Sequence, residues 1–135
     1  MVDLGRVGPI PSFTGLMAIN ERGIAIGNRR DDQGFSRAIL WMAEGGLVDL
    51  GPPGALGSVA TDLNNQGEVV GSYGTAPGVN RAFVWSRASG FVELPGLSSG
   101  ASNAMSISEA GEIAGQSVDA SGQFHAVVWR LRASP

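Results

Sequence analysis

Cysteine is absent from all 135 residues, so the chain offers no disulfide framework, no thiolate metal site and no thiol nucleophile. Lysine is absent as well: the nine basic residues are all arginine, set against twelve acids for a formal net charge of −3. No basic stripe runs along the chain, and no aromatic residues alternate with arginines as a base-stacking groove requires, so nucleic acid is not expected as a partner. A single histidine, His125, excludes a multi-histidine metal cluster. Any Ser-His-Asp set would have to use that one imidazole, and no serine stands in a nucleophile-elbow pattern. No apolar run approaches the ~20 residues of a spanning helix, which argues against a membrane partner. Met1-Val2-Asp3-Leu4 lacks the charged and apolar regions of a signal peptide. No catalytic residue, cofactor or metal is expected.

What is plentiful is glycine, at 21 residues, with seven prolines and 43% hydrophobic residues. That balance suits many short strands joined by tight turns and leaves little room for helix. Tryptophan recurs at positions 41, 85 and 129, and the surrounding segments recur with it at the same 44-residue interval. Each copy contains a first strand ending at Met17-Ala18-Ile19, Thr61-Asp62-Leu63 or Met105-Ser106-Ile107. A turn then closes on Gly23, Gly67 or Gly111, where a left-handed backbone favours glycine. The second strands run Ile24–Gly27, Glu68–Gly71 and Glu112–Gly115, and their final glycines signal close backbone approach or a bulge. Polar loops of varying sequence follow at 29–34, 73–79 and 119–123. The third strands, Arg37–Met42, Arg81–Ser86 and His125–Arg130, show little polar alternation, as expected for strands covered on both faces. Short fourth strands read Leu47-Val48-Asp49-Leu50 and Phe91-Val92-Glu93-Leu94; Met1-Val2-Asp3-Leu4 matches them, while no such segment follows Trp129.

A four-stranded unit of about 40–50 residues repeated in tandem is the signature of a propeller blade. The expected fold is therefore all-β, a single repeat domain over 1–135 forming a β-propeller with three blades per chain, over about 13–50, 57–94 and 101–129. The third blade would be split, its fourth strand supplied by residues 1–4 of another copy. Three blades fall short of the roughly four to eight that surround a propeller channel, so head-to-tail association is expected to close the ring. Two copies supply six blades and three supply nine; the usual range favours the homodimer, with the homotrimer next. Met1, Val2, Asp3 and Leu4, with His125, Val127 and Trp129 opposite them, are the expected closure residues. A fragment of a larger propeller and an open β-solenoid are the alternative arrangements.

The segments His125-Ala126-Val127-Val128-Trp129, Arg81-Ala82-Phe83-Val84-Trp85 and Arg37-Ala38-Ile39-Leu40-Trp41, with Gly45–Gly51, Ser58, Ala60, Leu63-Asn64, Gly67 and Val69-Val70-Gly71, resemble the HAF-repeat family of probable extracellular proteins. The resemblance spans essentially the whole chain and implies a repeat array and an extracellular setting. It implies no established reaction and no catalytic residues, and no copy here keeps all three letters of the His-Ala-Phe signature.

The expected function is a non-catalytic structural or binding scaffold. Its functional alternative is a repeat lectin or other module binding a glycan or protein through clefts between blades or through the variable loops. Arg30, Asp31, Asp32, Tyr73 and Asn80 are the candidate loop contacts. Asp31-Asp32 lacks the visible six to eight oxygens of a Ca²⁺ site and reads as a solvated loop. The tryptophans read as core side chains whose indole N–H needs a partner. His125 shares its repeat position with Arg37 and Arg81, pointing to a shared polar edge; these three are candidates to meet the acids Asp3, Asp49 and Glu93 across strands.

Overall fold

A computed structural model describes Met1 and residues 14–52 and 54–130. These residues contain eleven strands and no helix. β1 (Thr14–Ile19), β2 (Ala25–Arg30), β3 (Ser36–Met42) and β4 (Gly46–Asp49) pair in sequence order as a first antiparallel sheet. β5 (Ser58–Leu63), β6 (Val69–Ala76), β7 (Val79–Ser86) and β8 (Gly90–Glu93) form a second sheet of the same order. β9 (Ser102–Ile107), β10 (Glu112–Val118) and β11 (Phe124–Arg130) form a third with three strands. The all-β expectation holds. The expected closing strand lies outside the described residues except for Met1, which is exposed.

The three sheets share one register. Ala25 pairs with Trp41, Val69 with Trp85 and Ile113 with Trp129. Two glycine positions per sheet explain why. Gly23, Gly67 and Gly111 close the first hairpin turns at φ of +78°, +81° and +85°, a conformation that a side chain opposes. Gly27, Gly71 and Gly115 stand where the first strand bulges: a Cβ there would come within 1.9, 1.9 and 2.0 Å of the carbonyl oxygens of Gly15, Val59 and Asn103. The register slips opposite them, between Leu16 and Ala18, Ala60 and Asp62, and Ala104 and Ser106.

The loops expected at 29–34 and 73–79 are shorter than the sequence suggested. Arg30, Tyr73 and Asn80 lie in strands β2, β6 and β7, because the pairing of each hairpin continues to its turn. In the first sheet Asp31 makes the turn compact: one carboxylate oxygen accepts the N–H groups of Gln33 and Phe35 at 3.0 and 2.8 Å. Asp119 repeats the device in the third sheet with Ser121 and Gln123.

The sheets stack face to face, and alternation along the strands assigns each side chain to one seam. Ile26, Ala38 and Leu40 of the first sheet, with Leu50, pack against Ala60, Val69 and Phe83 of the second. On its opposite face the second sheet offers Val70, Ala82 and Val84, with Leu94, to Ala104, Ile107, Ile113 and Trp129 of the third. The middle sheet is thus covered on both sides, which is why β7 reads Ala82-Phe83-Val84 with no polar alternation. Phe83 also stacks on Phe91 at 4.7 Å, and Phe91 meets Tyr73 edge-on at 4.9 Å.

Candidate functional site

Polar positions hold the seams in a repeated pattern. The hydroxyl oxygens of Ser58 and Ser102, at the first residues of β5 and β9, accept the N–H groups of Ala38 and Ala82 in the preceding sheet, each at 2.8 Å. At the β1–β2 and β5–β6 turns, Asn20 Oδ1 accepts the N–H of Arg22 and Ile24, and Asn64 Oδ1 accepts those of Gln66 and Glu68. The other end of each side chain reaches the next sheet: Asn20 Nδ2 donates to Asn64 O at 2.9 Å and Asn64 Nδ2 to Ser108 O at 3.0 Å. One position along, the Glu21 N–H donates to Asn65 Oδ1 at 2.8 Å and the Asn65 N–H to the Glu109 carboxylate at 2.9 Å. Ser108 keeps the turn through its hydroxyl, which accepts the Glu112 N–H at 3.1 Å, but it has no amide to send onward. Asp62 ties the second seam by accepting the Ile107 N–H at 2.9 Å.

Among the described residues, none covers one face of the third sheet. Ala38 and Leu40, and Ala82 and Val84, are buried by the sheet that follows; their counterparts Ala126 and Val128 are exposed, Val128 at 59%. Phe124, at 54%, borders them on the same face. The far face of the first sheet differs. Ala25 and Ile39 point away from the second sheet, yet both are buried.

Of the expected closure residues, Val127 and Trp129 face inward, to the seam with the second sheet. The Trp129 indole N–H donates to Pro95 O at 2.7 Å, meeting the need for a partner. Their strand, β11, pairs only with β10 among the described residues, which leaves its outer edge as the place where a further strand would add. His125 is on the exposed end of that strand, with Nε2 2.7 Å from Asp119 Oδ2.

Asp3 lies outside the described residues; among those described, the expected pairing of the Arg37, Arg81 and His125 series with the acids of the fourth strands occurs once, between Arg81 and Glu93 at 3.8 Å. In the first sheet other partners compete for the same groups. Arg37 Nε donates to Asp31 at 2.8 Å and Nη1 to Ala55 O at 2.6 Å, while Asp49 receives a bidentate pair from Arg29 at 2.8 Å. Arg81 also donates to Ser98 O and Gly100 O in the connection to β9.

These contacts set the protonation behaviour. The hydrogen bond to Asp49 raises the Arg29 guanidinium above its ordinary value. At Asp31 burial opposes ionisation, but the hydrogen bonds from Arg37, Phe35 and Gln33 outweigh it and hold the carboxyl low. Hydrogen bonds from Ser121 first, then His125 and Gln123, hold Asp119 well below the usual carboxylate range. Burial, then the hydrogen bond to Glu93, pushes the Tyr73 hydroxyl up to about 12.

The loop candidates therefore separate. Asp31 and Tyr73 are engaged in folding contacts, whereas Arg30, Asp32 and Asn80 are exposed, with Asn80 lining a shallow hollow beside Phe35 and Leu56. Among the described residues no group of three or more His, Asp or Glu side chains could hold a metal ion. No described helix is long and apolar enough to cross a membrane. The chain matches no family model, no curated protein and no solved structure.

Proposed function

We propose that this chain is a non-catalytic β-propeller module that associates head to tail with further copies of itself, closing into a ring of six blades as a dimer or nine as a trimer. The observation that carries the reading is the bare face of the third sheet: Ala126 and Val128 are exposed at positions whose counterparts are closed by a following sheet. The two seams within the chain show what such a face receives, a sheet presenting the side of Ala60, Val69 and Phe83 or of Ala104, Ile113 and Trp129. In the first sheet the corresponding side carries Ala25, Ile39 and Trp41, so a second copy is the occupant with the matching pattern. The match of Met1–Leu4 to Leu47–Leu50 supports adding that segment at the outer edge of β11, where no described strand pairs. The HAF-like segments are consistent with such an array in an extracellular setting.

Light scattering on a sizing column, across a wide concentration range, tests this. The expected result is a discrete particle of two or three times the 13.9 kDa chain mass. A particle of one chain mass at every concentration overturns the proposal.

A further inference from the structure

Between the first and second sheets a hollow of about 480 Å³ opens to solvent beside the β1–β2 turn. Trp85, Leu40 and Met42 line it, with Arg22 from that turn and Arg87 from the β7–β8 turn. A second hollow of about 340 Å³ shares Arg22, Met42 and Arg87 and adds Trp41. The larger space is within the range of small-ligand sites, and its apolar wall beside charged groups is the usual composition of one.

Two features set this cleft apart from a packing defect. Arg29, Arg37, Arg81 and Arg130 each meet a carboxylate, whereas Arg22, Arg30 and Arg87 meet none among the described residues. Arg22 and Arg87 are exposed, and of these three they are the two that line the hollow. The second feature is Trp85. Its counterpart Trp129 is nearly buried with the indole N–H bonded to Pro95 O, but the half-buried Trp85 has no acceptor for its N–H among the described residues. The acid on the same wall, Glu68, accepts a hydrogen bond from Asn64 at 2.8 Å, and Glu44 lies in the smaller hollow. At the Arg22 position the second sheet has Gln66, so the pair of cations belongs to this cleft and is not a product of the repeat.

We infer that this cleft binds a carboxylated saccharide. Arg22 and Arg87 take the carboxylate through charge-assisted hydrogen bonds, for which planar guanidinium groups are suited. Trp85 and Met42 take the apolar C–H face of a sugar ring, and Ser86 and Ser89 on the same wall meet its hydroxyls. The site lies wholly within one chain and does not depend on association between copies.

The test is calorimetric titration of the intact protein with trigalacturonate, with the fully methyl-esterified trisaccharide as the neutral control. Saturable binding is expected, weakened at least tenfold by Arg22→Gln, by Arg87→Gln and by esterification, with both variants keeping the parent circular dichroism. No saturable heat at millimolar ligand overturns the assignment. So does equal affinity for acid and ester, or equal affinity in parent and variants.

Discussion

At the scale of single residues, the sharpest constraint is the absence of a side chain at Gly71. Its missing Cβ is occupied by Val59 O at 1.9 Å and by the Phe83 ring at 3.0 Å, one a backbone atom and the other a buried ring that cannot yield. Gly71→Ala is expected to cost about 3 kcal/mol, the upper part of the range for overpacking, measured as a lowered midpoint in urea with an unchanged slope. A residue two positions away has a spectroscopic consequence. Tyr73 is the only tyrosine, so phenolate absorbance reports it alone. Its midpoint is expected at about 12, above the ordinary value of 10.0. The sign follows from linkage: the raised value favours the protonated hydroxyl in the folded state, so this contribution to stability is complete below the unfolded pKa. It is lost as pH rises through the folded one. A midpoint at the ordinary value would mean that the hydroxyl is neither desolvated nor bonded to Glu93.

At the scale of elements, the asparagine turns act as a ladder that runs one way along the stack. Asn20 and Asn64 each spend the oxygen on their own turn and the amide nitrogen on the next sheet. Ser108 retains the first role and loses the second. In a head-to-tail ring the junction between copies therefore lacks one rung. Ser108→Asn should restore it, strengthening association by about 1 kcal/mol per junction, the net worth of one hydrogen bond. Sedimentation equilibrium would read this as a several-fold lower dissociation constant, whereas an unchanged constant in a particle that does assemble would place Ser108 away from the junction. The sequence made much of this level legible. The turn triplet Asn20, Asn64 and Ser108, the left-handed glycines and the glycines at the bulges all stand 44 residues apart, and local backbone requirements repeat with them. The bonds between sheets were not legible, since Ser58 to Ala38 or Asn20 to Asn64 depends on how two sheets are stacked. The ion pairs differ for a related reason: the register is the same in the first two sheets, but Arg29 takes Asp49 and Asp31 takes Arg37, where the second sheet has Tyr73 and Thr75 in place of Arg29 and Asp31. Arg22 and Arg87, 65 positions apart, carry no sequence signal of their shared hollow.

At the scale of the whole molecule, the two ends of the stack are unlike. The first sheet ends in a buried face with Ala25 at 3% and Ile39 at 0%, and the third in an open one with Val128 at 59%. An open apolar face bordered by β11, a strand with no outer partner among the described residues, is a surface that sheet proteins otherwise blunt with charge. Val128→Asp applies that charge. In a single chain the side chain stands in water and the substitution should leave the fold and its circular dichroism unchanged. In an assembled ring it would sit where Leu40 and Val84 sit within the chain, at 0% and 7% exposure, as an unpaired buried carboxylate. That costs enough to dissociate copies held by one seam each. The parent protein is expected to show a melting temperature that rises with protein concentration, because association is linked to folding, and Val128→Asp to show a single-chain mass and a melting temperature independent of concentration. An assembly that survives Val128→Asp would move the interface off this face.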